Sequence, residues 1–170
     1  MKKLLTFILI STFILAGCAD VDLSKQTDNA SANSSNLSTT TFRGEKGEYI
    51  PLDTNGIVLE IASVDDGKAH FFNTTLPNGE PVYFFVVKSP DGKLRAAANG
   101  CQVCGDALQG FHQEGDYMVC NTCGNRYPLD RIATEKGGCN PAPISPNLEV
   151  VDGNISIPIS DLQDVRQFFE

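Results

Sequence analysis

Two Cys-x-x-Cys pairs, Cys101-Gln-Val-Cys104 and Cys120-Asn-Thr-Cys123, stand with fifteen residues between the inner cysteines. No other stretch constrains the chain as much. Two sulfurs three positions apart reach one ion only where the chain curls back at once, so each pair asks for a tight knuckle. Both pairs are followed by glycine, Gly105 and Gly124, which accepts the positive φ that such a curl tends to need. The spacing is that of a four-thiolate metal site, with Cys101, Cys104, Cys120 and Cys123 as its candidate ligands. Two disulfides, or a metal that only staples the fold, are the plainer alternatives for the same residues. Cys139, in Gly-Gly-Cys-Asn-Pro, follows Cys123 after a further fifteen residues. It is an accessory candidate: an alternative ligand, a gate, a free thiol near the site or a packed one.

The first seventeen residues carry Lys2-Lys3, then an apolar run closed by small residues. That is the pattern of a secretory signal, too short to span a bilayer as a helix. Its ending, Leu15-Ala16-Gly17-Cys18, matches the lipobox of bacterial lipoproteins, so Cys18 is expected to become a lipidated N-terminus held in the membrane from the extracytoplasmic side. A simple cleaved signal with a chance cysteine is the alternative. Without a twin arginine, export is expected to be unfolded, and the metal site is then filled outside. Loss of Lys2 and Lys3 with the leader takes the formal charge from −8 to −10, which argues against a nucleic-acid partner. Residues 18–45 are rich in Ser, Thr and Asn and read as a disordered tether.

Residues 46–170 are expected to form one mainly β, antiparallel domain with Rieske-like or zinc-ribbon-like knuckles and a short C-terminal helix. Short β-rich runs cover Tyr49 to Leu52, Ile57 to Ile61, Ala69 to Phe72, Val82 to Lys88 and Leu94 to Ala97. The turn signals between them include Asp53-Thr-Asn-Gly56, Pro77-Asn-Gly79 and Pro90-Asp-Gly92. One hairpin is expected around Glu114-Gly115-Asp116, delivering the chain to Cys120, and a last one around Asp152-Gly153-Asn154. Asn140-Pro141-Ala142-Pro143 reads as a rigid extended loop. Ser160-Asp161-Leu162-Gln163 reads as a capping box opening a helix whose apolar face is Val165, Phe168 and Phe169. His70 and His112 are candidate accessory residues, the second close to the site in sequence; a half-buried structural histidine is the plainer reading of His70. Tyr83 and Arg95 are weaker candidates of the same kind.

Several of these stretches together resemble the FtrD-like family of bacterial iron-sulfur membrane proteins, often encoded beside ferrous-iron permease systems. The likeness runs from about Ile57 to the C-terminus. It is carried by Ala69-His-Phe-Phe72, Phe84-Phe-Val-Val-Lys88 with Asp91-Gly92, and Arg95-Ala-Ala97 leading into Cys101-x-x-Cys104. Gly115-Asp-Tyr-Met-Val-Cys120-x-x-Cys123-Gly124 and Gly137-Gly-Cys-Asn-Pro141 complete it. The resemblance implies a metal-bearing, iron-sulfur protein serving iron uptake, with an iron permease or an electron-transfer protein as partner. Larger family members carry transmembrane helices, which a lipid anchor replaces here. The order of knuckle, hairpin, knuckle, Pro-rich loop and closing hairpin is also similar to a Rieske domain. Cys104 and Cys123 stand where that pattern has histidines, and all-thiolate ligation implies a lower potential.

Three functions remain open on these residues. An electron-transfer protein holds an iron-sulfur cluster on the four cysteines. A binding module holds zinc there instead, which the same donors suit. A thiol-disulfide oxidoreductase uses one Cys-x-x-Cys, with Cys139 as resolving thiol, but lacks the strand-then-helix context that lowers a thiol pKa.

Overall fold

The computed structural model describes residues 41–170. The expected leader (1–17), the lipidation residue Cys18 and most of the expected tether (18–45) lie outside the described residues. The strands are β1 (Glu48–Tyr49), β2 (Gly56–Glu60), β3 (His70–Thr75), β4 (Pro81–Lys88), β5 (Leu94–Cys101), β6 (Phe111–Glu114), β7 (Tyr117–Cys120), β8 (Arg126–Pro128), β9 (Pro141–Ile144), β10 (Val150–Val151) and β11 (Asn154–Pro158). One short helix, α1 (Ile159–Val165), follows. The expected mainly β class with a C-terminal helix is the architecture found. It is built as three sheets, ordered β1-β3-β4-β5-β9, β10-β11-β2 and β6-β7-β8.

Strand β4 explains how the sheets come together. Its sequence PVYFFVVK is almost continuously apolar, the pattern of a strand buried on both faces, and Phe84, Phe85, Val86 and Val87 are all fully buried. Alternation sends Phe84 and Val86 to one face and Phe85 and Val87 to the other. On the first face they pack with Ile57 of β2, Ile155 and Ile157 of β11, and Leu162 of α1. On the second they pack with Phe111 and Met118 of the β6–β7 hairpin, Leu129 and Ile132. Cys101 and Cys120 belong to this second core. Ala97 and Ala98 of β5, opposite Phe85 and Phe84, leave room for both large rings.

The β6–β8 sheet is an insertion between two neighbouring strands. β5 and β9 pair antiparallel, with Cys101 opposite Pro141, so residues 102–140 form one long excursion from a single ladder. The ladder is irregular between Ala97 and Cys101, and there the buried Asn99 turns its amide to other segments. Its Oδ1 accepts from Phe111 N at 2.7 Å and its Nδ2 donates to Glu45 O at 2.8 Å. A Cβ at Gly110 (φ +64°) would meet that same Asn99 side chain at 2.5 Å, so the approach needs glycine.

Four local expectations are corrected. Pro141 to Pro143 is not a loop but the edge strand β9, a position that tolerates prolines because their nitrogens need not donate. β1 runs parallel to β3, unlike the other pairs. Ser160 does not cap α1: the helix starts directly from β11, with Pro158 at the cap position and Ile159 N donating to Asn55 O at 3.1 Å. Asp161 instead accepts from Ser145 Oγ at 2.6 Å. Finally, Phe42 lies inside the stretch read as tether and is only 5% exposed. Its ring stacks on Tyr83 with centroids 4.1 Å apart, and Phe169 meets it edge-on at 5.7 Å. Tyr83 therefore serves packing.

Candidate metal centre

Two of the cysteines reach the site from the ends of strands and the other three from the turns and loop that follow. Cys101 closes β5 and Cys120 closes β7, and both rest on the second core at 4% and 1% exposure. After Cys101 the chain curls so that Cys104 N points at Cys101 Sγ, 3.3 Å away. After Cys120, Gly124 N donates to Cys120 O at 2.9 Å, with Gly124 at φ +72°. Gly105 behaves differently from the expectation. It has no positive φ and opens a short 3-10 turn (Gly105–Ala107), and Leu108 carries the left-handed conformation at φ 51°.

The third contribution comes from Cys139, whose Sγ lies 3.4 Å from Cys101, 3.8 Å from Cys104 and 2.8 Å from Cys123. The sulfurs of Cys101, Cys104, Cys120 and Cys139 all lie within 4.8 Å of one another. Cys123, the remaining candidate ligand, is exposed; its sulfur lies 2.8 Å from that of Cys139 and also faces Cys104 and Cys120. All five are free thiols. A tetrahedral ion about 2.3 Å from each sulfur separates them by about 3.8 Å, so the spacing and the all-sulfur donor set both fit a metal of the iron or zinc kind.

Three side chains without a sulfur hold the third loop in place. Gln102, inside the first knuckle, accepts from Gly137 N at 2.8 Å, and its Nε2 donates to Asn140 Oδ1 at 2.7 Å. Asn125, just past the second knuckle, donates to Cys139 O at 2.8 Å. Asn140 adds a longer bond to Glu135 O, at 3.4 Å. Sequence reasoning passed over all three. The available signal was a set of carboxamides inside and beside the cysteine motifs, where only two intervening positions exist to reach the returning chain.

The thiols differ in acidity. Cys139 donates to Cys123, and with the Asn125 backbone amide this holds Cys123 down to about 7. Burial pushes Cys139 upward, Cys104 up to about 11, and Cys120 above its ordinary value.

His112 braces the second knuckle without touching sulfur. One ring nitrogen faces Asn121 Oδ1 at 2.5 Å and the other Glu114 Oε1 at 3.0 Å, while Arg126 pairs with Glu114. Glu114 first, then Asn121, raise the His112 pKa above its ordinary 6.5. A raised folded-state value stabilises the fold below the unfolded pKa, and this contribution is lost as pH climbs through the folded one. The side chain is 49% exposed, which keeps the effect small. An NMR titration is expected to place His112 above 6.5 and Glu114→Gln to lower it; a midpoint at or below 6.5 in the wild type would show that the pairing is absent. His70 is held elsewhere, by Asp66 at 2.8 Å. Arg95 is structural: it spans Ser89, Asp91 and the Ile132 carbonyl.

A family model described as "Membrane iron-sulfur containing protein FtrD-like" matches residues 64–169. The match takes in all five clustered cysteines. A search of the curated proteins finds no match. No helix among the described residues is long and apolar enough to cross a membrane.

Proposed function

The chain belongs to the FtrD-like family of membrane iron-sulfur proteins, and from that premise we propose that its clustered cysteines hold a redox-active iron-sulfur centre. The centre serves one-electron transfer in iron uptake, on a lipoprotein anchored through Cys18 outside the cytoplasm. The observation that carries this reading is the convergence of thiols from three separate loops, four of them with sulfurs within 4.8 Å. Bound iron supplies reversible one-electron exchange, at a potential that thiolates set lower than imidazoles do. The protein's part is to bind, orient and partly bury. Cys101 and Cys120 come from the packed side, and the first knuckle turns outward at Val103, which is 66% exposed. That exposed knuckle is where an electron partner or an iron permease is able to approach.

Absorption spectroscopy and metal analysis of the anaerobically purified full chain test the reading. Visible bands that bleach on reduction and return on oxidation, with iron bound, are the expected result. A colourless protein carrying zinc would replace it with the second reading, a structural-zinc module contacting a membrane partner through its β surface. Thiol-disulfide exchange is supported least, because both Cys-x-x-Cys pairs leave strands rather than opening an α-helix. For the anchor, Cys18→Ala is expected to abolish palmitate labelling and release the protein from the membrane fraction. Normal acylation of that variant would end the lipoprotein reading.

A further inference from the structure

Five thiols meet where four suffice, and they are not equivalent. Cys101, Cys104, Cys120 and Cys139 keep every sulfur pair within 4.8 Å, with contacts of 3.4 and 3.8 Å among them. That is the spread of four ligands on one ion, about 3.8 Å for metal–sulfur bonds of about 2.3 Å. A sulfide-bridged cluster hangs its cysteines on different irons, so pairs that do not share an iron are held further apart by the metal–metal separation. This set has no such distant pair.

The fifth thiol is placed for a different task. Cys123 is exposed, whereas Cys101 and Cys120 are buried, and its sulfur is 2.8 Å from that of Cys139. Cys139 in turn follows Gly137 and Gly138, both at positive φ (83° and 81°) with open space around them. It is the one ligand of the compact set that belongs to neither Cys-x-x-Cys knuckle, and its loop is held by single hydrogen bonds of Gln102 with Gly137 and of Asn125 with Cys139 rather than by a strand ladder. We infer that the centre is mononuclear, one ion on Cys101, Cys104, Cys120 and Cys139, and that Cys123 is the exchange thiol through which the ion enters and leaves by trading places with Cys139.

The trade conserves charge and electrons. A metal–sulfur bond forms at Cys123 and the bond at Cys139 breaks, while the proton released by the incoming thiol is taken up by the outgoing one. No oxidant or reductant is involved. Metal capture then begins at the surface, and the buried sulfurs are reached by release of the Gln102 and Asn125 bonds to the Cys139 loop rather than by opening the core. The inference rests on the metal-binding reading above and narrows it to one ion.

The full chain, loaded with Zn2+ and separately with Fe2+ under anaerobic conditions, provides the test. Metal and acid-labile sulfide are measured per chain, and the loaded protein is alkylated with iodoacetamide and mapped by mass, Cys18 being read separately. One ion, no labile sulfide, and alkylation at Cys123 with the other four cysteines protected are expected. Cys123→Ser is expected to retain the ion but to release zinc to excess chelator at least tenfold more slowly. Two irons with two sulfides per chain would overturn the inference and leave the metal reading standing. Protection of Cys123 with alkylation of Cys139, or unchanged release from Cys123→Ser, would overturn it as well. A folded chain that takes up neither metal would overturn both readings together.

Discussion

Cys101→Ser and Cys120→Ser are expected to abolish stoichiometric metal binding and to lower the melting temperature by on the order of 10 °C. Both residues come from the buried side of the centre, at 4% and 1% exposure, and no spare sulfur lies on that side to replace them. A ligand present at a thousandfold its Kd stabilises the folded state by about 4 kcal/mol. In a domain of this size that corresponds to a shift of roughly 10 °C. The oxygen that replaces sulfur is a poor ligand for a soft site and a polar group in the second core, so two costs act in the same direction. Metal analysis beside thermal melts of the full chain, with and without chelator, separates them. If chelated wild type melts with the variants, the metal term accounts for the whole effect. Full metal retention in either variant would remove both residues from the ligand set.

The second large effect comes from the two faces of β4. Phe84→Ala and Phe85→Ala each delete a fully buried ring, and each is expected to cost about 3–5 kcal/mol. Their consequences for the centre differ. Phe84 packs with the β2–β11 side and α1, away from the thiols. Phe85 shares its core with Cys101, Cys120, Phe111 and Met118, so its cavity opens beneath the two buried ligands. At a temperature where both variants remain folded, Phe85→Ala is expected to lose metal to a chelator faster than wild type, and Phe84→Ala to match wild type. Equal acceleration in the two would show that the faces of the sheet are not independent supports.

Much of the architecture could be read from the chain because its signals are local. The runs that became β2 to β5 alternate or bury continuously, and Asn-Gly and Asp-Gly turns punctuate them. The hairpins at Gly115 and Gly153 were legible for the same reason. Strand β9 was not, because Pro141 and Pro143 argue against a strand unless its edge position is known, and edge position is a property of the whole sheet. Phe42 was missed since one aromatic in a Ser/Thr/Asn-rich stretch has no periodicity. Its partners, Tyr83 and Phe169, are remote in sequence. At the centre, spacing told which sulfurs share a knuckle but not which loop returns to meet them. That return is set by Gln102 and Asn125 gripping the Cys139 loop, tertiary bonds that leave no spacing rule behind. Gly105, the glycine after the first knuckle, is not the turn's left-handed residue; that conformation falls on Leu108, a position no residue preference marks.

The pairing of Cys101 with Pro141 across the base of the 102–140 excursion bears on the order in which the protein assembles. A loop of about forty residues costs about 3 kcal/mol to close, beyond a constant term, and β9 gains its ladder only after that closure. The strands β3, β4 and β5 face no such delay, since each joins its neighbour through a short turn. Contacts between distant residues are slow to form, so β9 is expected to zip on late in the metal-free chain. The sulfurs of Cys101 and Cys139 meet beside the base of that loop, 3.4 Å apart, and an ion shared between them is a clasp. Metal supply is therefore expected to set the tempo of the final folding step as well as the strength of the finished fold.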